Sequence, residues 1–149
     1  MMSIRSAVNE AIKDATKSRD HVRLECLRLA KAALLLKEKA GPKDNEISDA
    51  DAIVALRAEV KKRRDSIETF QQIGRDDEIA RVHAEIAILD EFLPKQLDEA
   101  ALEAKVRGYL AEHPDVNHAG KLTGAMKKEL GDLADGKMLA DLCKKVIEG

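Results

Sequence analysis

Four consecutive cations, Lys61-Lys62-Arg63-Arg64, are the run of residues in this 149-residue chain with the plainest chemical use. They interrupt a stretch in which Ile53, Leu56, Val60, Ile67 and Phe70 recur three, four or seven positions apart, the spacing of one buried helical stripe. Four consecutive residues sweep most of a helical circumference, so at least two of the cations must face solvent. No carboxylate falls within the run to neutralise it. Such a display can meet a polyanion. Arg75 follows just past the end of the same helix, in Gly74-Arg75-Asp76.

A second, smaller set lies near the C-terminal end: Gly120-Lys121, Lys127-Lys128 and Gly136-Lys137. These pairs place cations and flexible backbone near helix starts, where free N–H groups attract phosphate and a neighbouring lysine adds charge. Each piece has an ordinary reading beside the functional one. A glycine there also serves a simple turn, and lysine and arginine stems lie along apolar surface on any exposed helix. Asp65 and Glu68, four residues past Lys61 and Arg64, are spaced to pair with them.

Other chemistry finds little support. The chain has no GxSxG, HExxH, Walker or GxGxxG motif. Its histidines, His21, His83, His113 and His118, are scattered, and the last two flank Pro114 without the four-residue helical spacing of a metal pair. The acids Asp49, Asp51, Asp76 and Asp77 stand at helix starts, where capping and the helix dipole account for them. Cys26 and Cys143 are far apart and read as small apolar residues. No metal, no cofactor and no catalysis by this chain alone are expected.

Composition limits the partners. Charged residues make up 36% of the chain and the formal net charge is −2, which argues against bulk capture of nucleic acid and makes any polyanion site local. Aromatics are 2%, so the core must be aliphatic and base stacking can contribute almost nothing. The richest apolar run, Ala32-Ala33-Leu34-Leu35-Leu36, is too short to span a bilayer, and no apolar signal core follows Met1. The expectation is a cytoplasmic protein without membrane contact.

The elements that must position these residues are all helical. Ser3 caps a first helix carrying Ile4, Ala7, Val8, Ala11, Ile12 and Ala15 on one face. After a break at Ser18-Arg19-Asp20, apolar residues of His21 to Lys39 cover most of the circumference: Val22, Leu24, Leu27, Leu29, Ala30, Ala33 and Leu34. That helix should be central and largely buried. Gly41-Pro42 stops it, and Lys43 to Ile47 read as a polar loop. Ser48 or Asp49 caps the third helix, which ends at Gly74, and Asp76 or Asp77 caps the fourth, which ends at Pro94.

Beyond Leu93-Pro94-Lys95-Gln96-Leu97 a smaller part follows. Asp98 starts one helix with Leu97 and Leu102 as a hydrophobic staple, a second runs from about Ala119 to Leu130, and a third follows Asp135-Gly136. The expectation is an all-α chain with a four-helix domain over residues 1–94 and a three-helix domain over 95–149.

Several of these segments, taken in order, resemble the GatB/YqeY family. They are Arg23-Leu24-x-x-Leu27-Arg28; Lys61-x-Arg63-Arg64-x-Ser66-Ile67-x-x-Phe70; Gly74-Arg75-x-Asp77; Glu85-x-x-Ile88-Leu89-x-x-Phe92-Leu93-Pro94-x-Gln96-Leu97; Gly120-Lys121-x-x-Gly124; and Ala134-Asp135-Gly136-Lys137. The resemblance implies a stand-alone relative of the C-terminal region of the B subunit of the glutamine-dependent tRNA amidotransferase, a helical domain and a small three-helix tail that helps hold the tRNA. It also brings, by association, a carbon–nitrogen ligase activity with glutamine as amido donor, whose chemistry in the amidotransferase belongs to other domains. The chain departs from the family pattern at Asp132-Leu133, where relatives commonly read Gly-Arg, and at Glu129, where lysine is common. Both changes lower the positive potential of the tail.

Two expectations follow. One is a tRNA-binding or accessory module that uses Lys61, Lys62, Arg63, Arg64, Arg75, Lys121, Lys127, Lys128 and Lys137 on backbone phosphates, reading shape more than sequence. The other is a protein–protein adaptor docking on an amidotransferase, an aminoacyl-tRNA synthetase or another partner, without RNA contact.

Overall fold

A computed structural model describes residues 2–42 and 45–149. Among them are seven α-helices, one 3-10 turn at Gly131–Leu133 and no strand. The helices are α1 (Ile4–Ser18), α2 (His21–Ala40), α3 (Asp49–Ile73), α4 (Asp76–Asp90), α5 (Glu99–Glu112), α6 (Ala119–Leu130) and α7 (Gly136–Glu148). The chain divides into two compact units, Met1–Leu93 with α1 to α4 and Pro94–Gly149 with α5 to α7.

Local chemistry sets the helix ends. Ser3, Asp20, Ser48, Asp98 and Asp135 each accept a hydrogen bond from a backbone N–H two or three residues into the helix they precede. Each satisfies a donor that has no intrahelical partner. Gly74 ends α3 in the left-handed region at φ 71°, with its own N–H on Gln71 O and that of Arg75 on Phe70 O. A side chain is strained in that conformation, which is why glycine stands there. The start of α4 differs from expectation. Arg75 occupies the cap position without a side-chain bond, and Asp76, Asp77 and Glu78 lie inside the first turn, where they answer the helix dipole instead of capping it.

In the first unit, Val8, Ala30, Leu34, Leu56, Val60 and Leu89 bring all four helices to one aliphatic core. Ile47 joins it, a correction to the reading of that loop as wholly polar. Its side chain is buried and its N–H donates to Glu38 Oε2 at 3.0 Å. Lys43 and Asp44, also assigned to that loop, lie outside the described residues.

A larger correction concerns α2. It packs against α1, α3 and α4, burying Leu24, Cys26, Leu27, Ala30 and Leu34. Val22 and Leu29, expected inside, are 56% and 50% exposed, and Leu36 is 73% exposed. The helix is buried on one side only. A core of slim aliphatic side chains draws its helices close along narrow stripes, and three neighbours do not close round a fourth.

Ion pairs tie the ends of this bundle. Arg23 on α2 reaches Glu91 through two hydrogen bonds of 2.6 and 2.9 Å, and Arg5 on α1 meets Glu46 at 3.0 Å and Glu38 at 3.6 Å. Asp49 Oδ1 accepts the N–H of Ile4, so the first turn of α3 also helps to begin α1.

The second unit has its own core of Leu102, Val106, Leu122, Met126, Leu139 and Leu142, with Cys143 among them. The segment entering α5 is stitched to the 3-10 turn. Leu97 N–H donates to Leu133 O at 2.8 Å, and Gln96 Nε2 to Asp132 O at 2.9 Å. Lys145 on α7 and Arg107 on α5 both hold Glu103, and these bonds keep its carboxyl below the usual carboxylate range.

Two outcomes test these cores. Leu56→Ala should cost about 2–5 kcal/mol in a urea titration, the range for emptying a fully buried leucine site. Burial pushes both the Cys26 and the Cys143 thiols up, so both stay protonated at pH 8. Iodoacetamide should therefore label them slowly in the native protein and fast in urea; equal rates would contradict the burial.

Candidate functional site

The basic run begins halfway along α3, and its members part company there. Arg63 follows Val60 by three residues and precedes Ile67 by four, so it stands on the stripe itself. Its residue is 9% exposed, the one buried charged residue among those described. The guanidinium turns inward: Nη1 donates to Glu59 O at 3.1 Å and to Glu59 Oε1 at 3.3 Å, and Nε lies 3.5 Å from Glu85 Oε2 on α4. Glu59 and Glu85 are themselves mostly buried, with side chains 15% and 17% exposed.

This arrangement corrects the assignment of Arg63 to a phosphate-facing set. A buried guanidinium that already meets two carboxylates cannot be offered to a polyanion without breaking the bundle. The signal was in the sequence, because Leu56, Val60, Arg63, Ile67 and Phe70 run in unbroken three-four rhythm. A core stripe whose middle seat is an arginine calls for acids on the facing helix, and Glu85 is one.

Lys61, Lys62 and Arg64 are exposed. Lys62 Nζ lies 3.0 Å from Glu59 Oε2, so Glu59 serves two cations of the run at once. The carboxylate that answers these two cations stands before the run. Arg75 is exposed beside Glu78, at 3.9 Å, within the acidic first turn of α4.

In the second unit Lys121, Lys127, Lys128 and Lys137 are all exposed. Lys121 and Lys128 are seven residues apart and share one face of α6. Lys127 reaches toward the start of α7, where its Cε would lie 3.9 Å from a Cβ placed on Gly136. Four cations therefore gather on α6 and the first turn of α7.

The helix starts beside them are less open to anions than their glycines suggest. Asp135 accepts the N–H of Met138, which puts a carboxylate of the chain's own at the head of α7. At the head of α6, His118 Nδ1 accepts the N–H of Gly120 at 3.1 Å. A Cβ on Gly120 would come within 3.0 Å of that imidazole, so close approach of the capping ring explains this glycine. Gly124 is different. It is exposed in mid-helix between Lys121 and Lys128, and a Cβ there would meet nothing within 4 Å.

No arrangement for bond chemistry emerges among the described residues. No group of three or more His, Cys, Asp and Glu is placed to hold a metal ion, and no helix is long and apolar enough to cross a membrane. A concavity of about 510 Å³ beside Arg5, Glu38 and Glu46 is floored by the ion pairs already described. Another of about 500 Å³ in the second unit is lined by Leu110, Val116, Val146 and Ile147, with Arg107 and Asn117 at its edge. Neither brings a nucleophile to a base.

The family model of YqeY-like proteins matches residues 5–147, nearly the whole chain, and the protein belongs to that family. No curated protein matches it.

Arg63 and Lys61 should separate sharply in stability. Arg63→Ala removes the buried cation between Glu59 and Glu85, leaving them only the exposed Lys62 and Arg81, and should cost about 2–3 kcal/mol, whereas Lys61→Ala should stay within about 0.5 kcal/mol. Urea unfolding of the two variants decides this, and equal small losses would return Arg63 to the surface set.

Proposed function

We propose that the protein is a tRNA-associated accessory module, a holding part related to the glutamine-dependent tRNA amidotransferase, and that it performs no catalysis alone. The observation that carries this reading is family membership over residues 5–147. Two features support it. Exposed cations cluster on each unit, Lys61, Lys62 and Arg64 on one and Lys121, Lys127, Lys128 and Lys137 on the other. The described residues also offer no constellation for amide or phosphoryl chemistry. In this reading α1 to α4 form one domain and α5 to α7 a tail domain, both acting in the cytoplasm on the phosphates of a folded RNA.

With Arg63 turned inward, Lys61, Lys62 and Arg64 are the tetrad members assigned to phosphate, with Arg75 at the end of the same helix. Base stacking has no part, because Phe70 and Phe92 are half-buried and Tyr109 lies against His113, with ring centroids 4.1 Å apart. Recognition then rests on charge and shape, which suits structured RNA. Gly124 fits the same picture. An exposed mid-helix glycine costs about 1 kcal/mol relative to alanine, and between Lys121 and Lys128 it lets a sugar–phosphate backbone come close to α6.

Binding of unfractionated tRNA, followed by filter retention, should weaken with salt, log K falling against log salt with a slope of about −4 for some five phosphate contacts. Lys61→Gln/Lys62→Gln/Arg64→Gln should lower the affinity at least tenfold, in a variant whose helical circular dichroism at the assay temperature matches the parent. Gly124→Ala should raise stability by up to about 1 kcal/mol while weakening tRNA binding. Unchanged affinity in the triple variant rejects the assignment on α3, and an unchanged Gly124→Ala rejects close approach at α6.

A further inference from the structure

The C-terminal ends of α5 and α7 meet the α5–α6 connection around an apolar groove of about 500 Å³. Leu110 and Ala111 line it from α5, Val116 from the connection, and Val146 and Ile147 from the end of α7. Val116, Val146 and Ile147 also pack on the core of this unit, so the floor is held from beneath. The connection is fixed as well. Val116 N–H donates to His113 O at 3.1 Å, and His113 N–H to Tyr109 O at 2.9 Å. A preformed, mainly apolar cleft with a few placed polar groups is the usual form of a ligand site.

Two polar side chains line the groove, Arg107 and Asn117, and both have bonding capacity to spare. The Arg107 side chain is 57% exposed and gives only Nε to Glu103, at 3.2 Å. Glu103 also receives Lys145 Nζ at 3.0 Å, so one carboxylate serves two cations. Among the described residues the Nη groups of Arg107 have no partner, and neither has the Asn117 amide. Glu112, Asp115 and Glu148 stand beside lining residues in sequence, but they are exposed and do not line the groove. Its one charged group is therefore a cation.

These groups say what an apolar ligand must carry. A guanidinium fork matches a carboxylate, and a primary amide both donates to and accepts from a peptide group. The helix ends contribute carbonyls without intrahelical partners and a partial negative charge. They oppose a bare anion such as phosphate and favour a ligand that brings N–H groups along with its carboxylate. An alkyl carboxylate brings none and leaves Asn117 unused. A polynucleotide has no aliphatic part for the floor. We infer that the groove receives the C-terminal end of a partner's polypeptide chain. The terminal carboxylate lies on Arg107, the last peptide group on Asn117, and an aliphatic last side chain on Leu110, Val116, Val146 and Ile147.

The test uses the full chain and short fluorescein-labelled peptides, polar except for a last residue that is leucine, isoleucine, valine or methionine. At least one free-acid peptide should bind saturably by fluorescence anisotropy. Its C-terminal amide, or serine as its last residue, should weaken binding at least tenfold, and so should Arg107→Gln in the protein. Asn117→Ala should weaken it at least threefold. Arg107 and Asn117 are exposed, so circular dichroism and melting of both variants should match the parent. Failure of all four peptides to bind overturns the inference, as does equal binding of acid and amide, or of Arg107→Gln and parent. Displacement of the peptide by an equal concentration of octanoate overturns it by assigning the groove to free acids. Loss of tRNA affinity in Arg107→Gln overturns it by assigning the groove to RNA. Loss of tRNA binding by the α3 variant alone bears on the RNA reading and leaves this one standing.

Discussion

Arg63 sets the terms for the first unit. A guanidinium placed on a core stripe must find carboxylates within reach or remain a desolvated charge, at a cost of several kcal/mol. Glu59, one turn earlier on α3, and Glu85 on α4 supply them. The three residues fix the register of α3 against α4 more narrowly than interchangeable aliphatic contacts could, because sliding by one turn would part the charges. Cys26 on α2 closes the third side, its thiol against Glu85 O at 3.7 Å. A run that looks uniform in sequence is thereby divided into one internal fastening and three displayed cations.

The aliphatic core imposes a second constraint. With aromatics at 2%, the buried residues of this core are all aliphatic or cysteine and Phe92 packs only at its edge, so burial is confined to narrow lines. Leu27, Leu34, Leu56 and Leu89 disappear from solvent, while Leu29 and Leu36, only a step round the helix from buried neighbours, stay outside. The apolar surface that a larger core would have absorbed remains on α2.

In the second unit, backbone does much of the positioning. Gln96 and Leu97 hold the carbonyls of Asp132 and Leu133, so the segment after Pro94 and the turn before α7 form one piece. The peptide groups of Asp132 and Leu133 that build this contact are used regardless of their side chains. Side-chain charge can change there without loss of these bonds.

Sequence alone was enough for the all-α class, for the caps at Ser3 and Asp98 and for the glycine ending α3, because caps and turns depend on residues a few positions apart. The family was legible for a related reason: its motifs are local and ordered along the chain. Burial was legible only where periodicity and neighbours agreed. Leu56 and Val60 met both conditions; Leu29 met only the first, since how many helices surround α2 is a property of the packed bundle. The inward turn of Arg63 had its periodic signal, but its second carboxylate lies twenty-two residues away on another helix. Which cations meet solvent was therefore decided by tertiary structure, because a charge is buried or displayed according to what faces it across space.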